Sequence, residues 1–182
     1  MMNFWLTTDT HFGHIKLVEQ NLRPVGFEDK IFKGLINALH EEDVFIHFGD
    51  ISFDNDAGWH EKIKELPGKK WLIKGNHDKR SSSWYLSRGW DFVGYSITIN
   101  HFGYKILMSH IPQPDTGYDI NIHGHFHNTD HRKHEPEIAA ILTSKHYLLA
   151  LEYNNYLPWN LSSVVGSFKK RQEKKVEPGC KL

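Results

Sequence analysis

The sequence has 182 residues, 39% hydrophobic and 13% aromatic, with 22 basic against 22 acidic side chains and no formal net charge. That length suits one domain with a real core, the aromatic content excludes bulk disorder, and the charge balance leaves no strong electrostatic footprint for nucleic acid or a membrane surface. No apolar run approaches the roughly 18–20 residues of a membrane span, the first residues lack a secretory leader's basic region, and the single cysteine, Cys180, excludes a disulfide framework or thiolate zinc site, so a cytoplasmic protein is expected.

In chain order, Asn3–Thr8 is a short apolar run that predicts a buried strand. Phe27–His40 follows, with Ile31, Leu35, Ile36 and Leu39 spaced for one face of a helix. Asp43–Phe48 predicts a second strand, about Ala57–Leu66 a second helix stopped by Pro67-Gly68, and Lys70–Lys74 a third strand. This β-α-β-α-β order predicts parallel strands with right-handed crossovers. Phe92–Ile99 and Tyr104–Ser109 flank Asn100-His101-Phe102-Gly103 as a predicted hairpin. Short strands are predicted at Asp119–His123 and Tyr147–Glu152, separated by a polar insert, Asn128–Lys145, expected to cover or line one side of a site. The expected architecture is α/β, with two packed sheets and helices outside, the second sheet partly antiparallel.

A boundary is predicted near Ser167. Residues 168–182 hold six basic against two acidic side chains, which leaves 16 basic against 20 acidic in residues 1–167. The division is therefore a domain over 1–167 and a basic tail over 168–182. The tail is expected to be solvated and partly helical, and its deletion to barely move stability.

Histidine is the anomaly, with 14 in the chain, many in short clusters. Each predicted strand ends in polar residues: Asp9-Thr10-His11, Gly49-Asp50, Gly75-Asn76-His77-Asp78, Ser109-His110 and Gly124-His125-Phe126-His127. Any one of these is a common turn or cap. Together, at successive strand ends, they bring Asp, Asn and His to one edge of a sheet, where ligands of open α/β sheets bind. His125 and His127 face one side of an extended segment. The glycines before Asp50, Asn76 and His125 are read as sharp turns.

The ordered set Asp9-x-His11, Gly49-Asp50, Gly75-Asn76-His77-Asp78, Ser109-His110 and Gly124-His125-x-His127 resembles the signature of the calcineurin-like metallophosphoesterase superfamily. Residues 149–161, with Glu152, Asn155-Tyr156 and Pro158, look like the small single-domain bacterial and phage members. The resemblance implies a four-layer αββα sandwich holding two divalent metals. Asp9, His11, Asp50 and His127 would hold the first, and Asp50, Asn76, His110 and His125 the second, with Asp50 bridging. Oxygen and nitrogen donors without thiolate suit Mn²⁺ first, with Fe, Zn²⁺ or Ni²⁺ as alternatives. The resemblance also assigns His77 as proton donor or transition-state clamp. Where many members carry a second Asp, three residues after the bridging one, this chain has Phe53; Asp78 and Asp54 are the candidates to orient His77 instead. Arg80 and His14 are candidates for contacting substrate, and His123 for supporting the ligands from behind. His131, His134 and His146 are given no chemistry.

The implied activity is hydrolysis of phosphate esters, diesters before monoesters, through in-line attack by a metal-bridging hydroxide. The expected partner is a small phosphate ester or nucleotide. A nuclease acting on exposed or single-stranded ends is the alternative, with the basic tail its only support. A scaffold without catalysis is a third reading, opposed by the presence of every expected ligand.

Overall fold

The computed structural model describes residues 2–53, 56–130 and 135–176. The first sheet contains β1 (Phe4–Thr7), β2 (Val44–His47), β3 (Lys69–Ile73), β4 (Phe92–Gly94) and β9 (Trp159–Asn160), in the order β4-β3-β2-β1-β9. The second contains β5 (Ser96–His101), β6 (Tyr104–Ser109), β7 (Ile120–His123) and β8 (His146–Leu148), in that order. Strands β1 to β4 run parallel, as do β6 to β8, while β9 and β5 pair antiparallel at the edges. The helices are α1 (Lys16–Glu19), α2 (Phe27–Ala38), α3 (Asp56–Lys64), α4 (Ser82–Leu86), α5 (Pro136–Ala139) and α6 (Leu161–Val176). The result is the expected α/β sandwich, two mixed sheets flanked by helices. None of the described helices is long and apolar enough to cross a membrane.

Strand alternation builds two cores. Leu6, Val44, Ile46 and Ile73 meet Ile106, Met108, Ile120 and Ile122 between the sheets. Phe45 and Leu72, pointing the other way, pack with Ile31, Leu35 and Ile63 of α2 and α3. Helix α2 begins after Gly26, whose φ is 77°, and carries Glu28 and Asp29 in its first turn, where acidic side chains oppose the helix dipole.

Three expectations are corrected. The run Phe92–Ile99 is not one strand: it breaks at Tyr95, giving β4 to the first sheet and β5 to the second. The run Tyr147–Glu152 stops being a strand at Leu148, and Leu151–Asn154 turns into a 3₁₀ helix. The boundary at Ser167 falls inside α6, where Phe168 is only 4% exposed and joins the inter-sheet core. Arg171 donates to the carbonyls of Ser144 and His146 at 3.2 and 2.7 Å. Residues 168–174 thus belong to the packed domain, and residues 177–182 lie outside the described residues. Phe168→Ala is expected to lower stability by about 3–5 kcal/mol, read from the urea midpoint; an unmoved midpoint would contradict this packing.

His60 of α3 gives the fold a pH response. Its ring is buried among Trp84, Tyr85 and Trp90, and its Nδ1 accepts the Trp90 indole N–H at 2.9 Å. Burial pushes its pKa down to about 4. Between about pH 6.5, where the unfolded ring titrates, and about pH 4, the unfolded chain takes up a proton that the folded chain refuses. Stability is full above that window and falls as pH is lowered through it, by about 1.4 kcal/mol per unit. His60→Gln keeps an acceptor for Trp90 and should flatten the decline of the melting temperature between pH 6.5 and 4; an unchanged slope would exclude His60 as its source.

Candidate metal centre

The donors come from loops at the carboxyl ends of β1, β2, β3, β6 and β7. The first two loops run side by side, with Asp9 N donating to Gly49 O at 2.9 Å and His11 N to Asp50 O at 3.0 Å. Asp78 joins the second loop to the third: its carboxylate accepts the backbone N–H of Asp50, Ile51 and Gly75 at 2.8, 3.2 and 2.7 Å. This corrects the expectation for Asp78, which braces loops rather than orienting His77; Asp54 lies outside the described residues. The glycines also differ in role. Gly49 has φ of 93°, as a sharp turn requires. Gly75 and Gly124 are places of close approach: a Cβ on Gly75 would overlap the Asp50 carboxylate, and one on Gly124 would overlap Thr8 Oγ1.

Asp9, His11, Asp50, His125 and His127 all have left-handed backbones, with φ of 49°, 45°, 56°, 73° and 50°. Non-glycine residues seldom adopt this region, and such strain gathers where side chains must be aimed.

Two groups of donors result, Asp9–His11–His127 and Asp50–His110–His125, the ligand atoms of each lying within 4.8 Å of one another. In the first, Asp9 Oδ1 is 3.8 Å from His127 Nε2 and 4.0 Å from His11 Nε2. That oxygen is buried without a hydrogen-bond partner, while Oδ2 accepts from Thr8 Oγ1 at 2.5 Å and His125 N at 3.0 Å. In the second, His110 Nε2 lies 2.9 Å from Asn76 Oδ1, 3.2 Å from His125 Nδ1 and 3.4 Å from Asp50 Oδ2. Asp50 Oδ2 is also 3.9 Å from His11 Nε2, so one oxygen faces both groups. His110 Nδ1 donates to Phe48 O at 2.7 Å, which leaves its Nε2 lone pair inward in the neutral ring.

These residues fit a pair of divalent ions. An orphaned carboxylate oxygen and convergent imidazole and amide lone pairs call for a cation, and the donor types suit Mn, Fe or Zn. Electrostatics agree. Burial pushes the carboxyls of Asp9 and Asp50 upward, but the surrounding histidines, His110 above all, hold both below the usual carboxylate range. Burial pushes His110 down, yet its hydrogen bond to Asp50 and the charges of Asp9 and Asp50 raise it to about 9.

His77 stands at the open side, its side chain 45% exposed and its Nε2 3.9 Å from Asp50 Oδ2. Its backbone N–H donates to Asp50 Oδ1 at 2.8 Å. His14 lies beside His11, with ring centroids 5.9 Å apart, and stacks on Phe53 at 3.9 Å. Arg80 is exposed; its Nε is 3.4 Å from Asp56 Oδ2 and its guanidinium lies over the Trp84 ring. His123 is buried against Phe126 and His146, and His146 bonds to Thr143, Tyr118 and Gln113. His131 and His134 lie outside the described residues.

Sequence reasoning missed Arg23. It is buried behind the first group, donating to the carbonyls of Asp9 and Thr10 at 2.8 and 2.9 Å and to Glu152 Oε1 at 2.9 Å. Its Nη2 is 3.2 Å from His127 Nδ1, and Glu152 Oε1 is 3.5 Å from the same nitrogen. The pair thus braces both the Asp9 loop and the His127 ring. A lone arginine in a loop offers no sequence signal for this role.

No family model matches the chain. The uncharacterized protein MJ1445 of Methanocaldococcus jannaschii is 28% identical to it, over 93% of both chains. The crystal structure of AQ665 from Aquifex aeolicus, a protein of unknown function, superposes with a TM-score of 0.73 at 26% identity, over 91% of this chain and 99% of that one. Nuclease MPE of Pseudomonas putida is matched with a TM-score of 0.48 at 23% identity, over 68% of this chain and 61% of that one. The two mixed sheets flanked by helices are thus a fold shared with AQ665, and in this chain Asp9, His11, Asp50, Asn76, His110, His125 and His127 converge at the strand ends.

Proposed function

We propose that the protein is a dinuclear metal-dependent hydrolase of phosphate esters, acting on diesters before monoesters. The observation that carries this reading is the single Asp50 oxygen facing both donor groups. Two divalent ions held there would supply Lewis acidity toward phosphate and a water acidic enough to attack it near neutral pH. Asp9, His11, Asp50 and His127 would hold one ion, and Asp50, Asn76, His110 and His125 the other. The two carboxylates contribute two negative charges and Asn76 none, so the loaded centre stays cationic and draws in a phosphate oxygen.

His77, on the open side, is the group that donates a proton to the leaving oxygen. The His14 and Phe53 rings stack next to it, and the substrate is a small phosphate ester or nucleotide. Mn²⁺ is the first ion to try, with Zn²⁺, Fe²⁺ and Ni²⁺ as comparisons.

The test is a panel of metal-loaded assays on an aryl diester, an aryl monoester, 2′,3′-cyclic nucleotides and a short oligonucleotide. The diester should turn over fastest. Failure to bind metal, or hydrolysis of none of these, would overturn the proposal. Preferential, salt-sensitive cleavage of the oligonucleotide would replace it with the nuclease reading.

A further inference from the structure

Glu135 stands at the start of the short helix α5, inside the insert 128–145. Its carboxylate reaches the metal centre: Oε1 and Oε2 lie 3.0 and 2.9 Å from His125 Nε2. The other nitrogen of that ring, Nδ1, is the one inside the second donor group, 3.2 Å from His110 Nε2. A neutral imidazole carries one N–H. A carboxylate accepting it at Nε2 leaves the lone pair on Nδ1, aimed where the second ion would sit. His127, two residues on, is turned the opposite way, with Nε2 toward Asp9 at 3.8 Å and Nδ1 toward Glu152 at 3.5 Å. Two neighbouring histidines thus offer different ring nitrogens to the two groups, and each has a carboxylate behind it. For His127 that carboxylate comes from the packed body of the domain. For His125 it comes from the insert.

We propose that Glu135 is a positioning residue for the second metal: it fixes the tautomer and ring direction of His125, and this makes the start of α5 a working part of the centre. The proposal rests on the dinuclear reading above. Its physical basis is that a ligating histidine with its remote N–H held by a carboxylate is oriented and more basic, and loss of such a partner typically costs about 10–100-fold in metal affinity. A second consequence is coupling. Occupancy of the second site and the seating of α5 are linked, because both act on one imidazole.

The test compares full-length wild type, Glu135→Gln and Glu135→Ala. Zn²⁺ titrations against a competing chelator should show the first equivalent unchanged in both variants. The second should weaken about 10–100-fold in Glu135→Ala and less in Glu135→Gln, which keeps an acceptor without the charge. Histidine ¹⁵N spectra should show His125 protonated at Nε2 in the wild type and a mixture of tautomers in Glu135→Ala. An unchanged second affinity with an unchanged tautomer would overturn the proposal. If the wild type takes up fewer than two equivalents, the dinuclear reading fails instead, and the tautomer spectra of the metal-free proteins still decide the role of Glu135.

Discussion

Asp50→Ala is expected to leave the protein without either tightly held ion and to cut diester turnover by about 10⁴-fold, since metal chemistry contributes several kcal/mol and each 1.36 kcal/mol is tenfold. The reason is geometric. Asp50 Oδ2 lies 3.4 Å from His110 Nε2 in one group and 3.9 Å from His11 Nε2 in the other, so its removal takes a donor from both at once. Asn76 Oδ1 lies 2.9 Å from His110 Nε2 in the second group, and Asn76→Ala should therefore weaken the second ion while sparing the first. Elemental analysis separates the two outcomes, with circular dichroism confirming that the sandwich persists. Two tightly held ions in Asp50→Ala would disprove the shared-carboxylate arrangement.

His77→Ala is expected to do the reverse, keeping both ions while slowing chemistry. The half-exposed ring lies next to the centre, and the donor groups are complete without it. On esters with a poor alkoxide leaving group, kcat should fall about 10²–10⁴-fold, the usual worth of general acid catalysis. An aryl leaving group departs with little help, so there the loss should be smaller. The ratio of the two losses is the measurement. Equal losses, or a missing ion, would show that His77 holds the Asp50 loop, through its N–H to Asp50 Oδ1, rather than delivering a proton.

The centre was more legible in the sequence than the sheets that carry it. Asp9-x-His11 and His125-x-His127 sit on loops next to strand ends, and the seven donors that the family resemblance assigned lie together there. What spacing could not reveal depends on partners distant in sequence. Arg23 is 129 residues from Glu152, and its burial is set by how two loops stack. Glu135 looks like any surface acid until its contact with His125 is seen. The break at Tyr95 is invisible for another reason: both halves of Phe92–Ile99 have strand composition, and only the need to cross from one sheet to the other divides them. Phe168 was obscured by its neighbours, since one buried face of a lysine-rich helix resembles a solvated tail in net charge.

The left-handed backbones of the donor loops set chemistry and folding against each other. Such a conformation costs an ordinary residue about 1–2 kcal/mol, whereas glycine, asparagine and to a lesser degree aspartate adopt it readily. His11, His125 and His127 bear the larger share of that cost. Glycine or asparagine at these positions would make the sandwich sturdier while emptying it of function. A lineage no longer needing the reaction would therefore slide toward a stable, inert binding platform through single substitutions, each favoured by folding alone. Against that gradient, each of these strained positions in this chain still carries a donor.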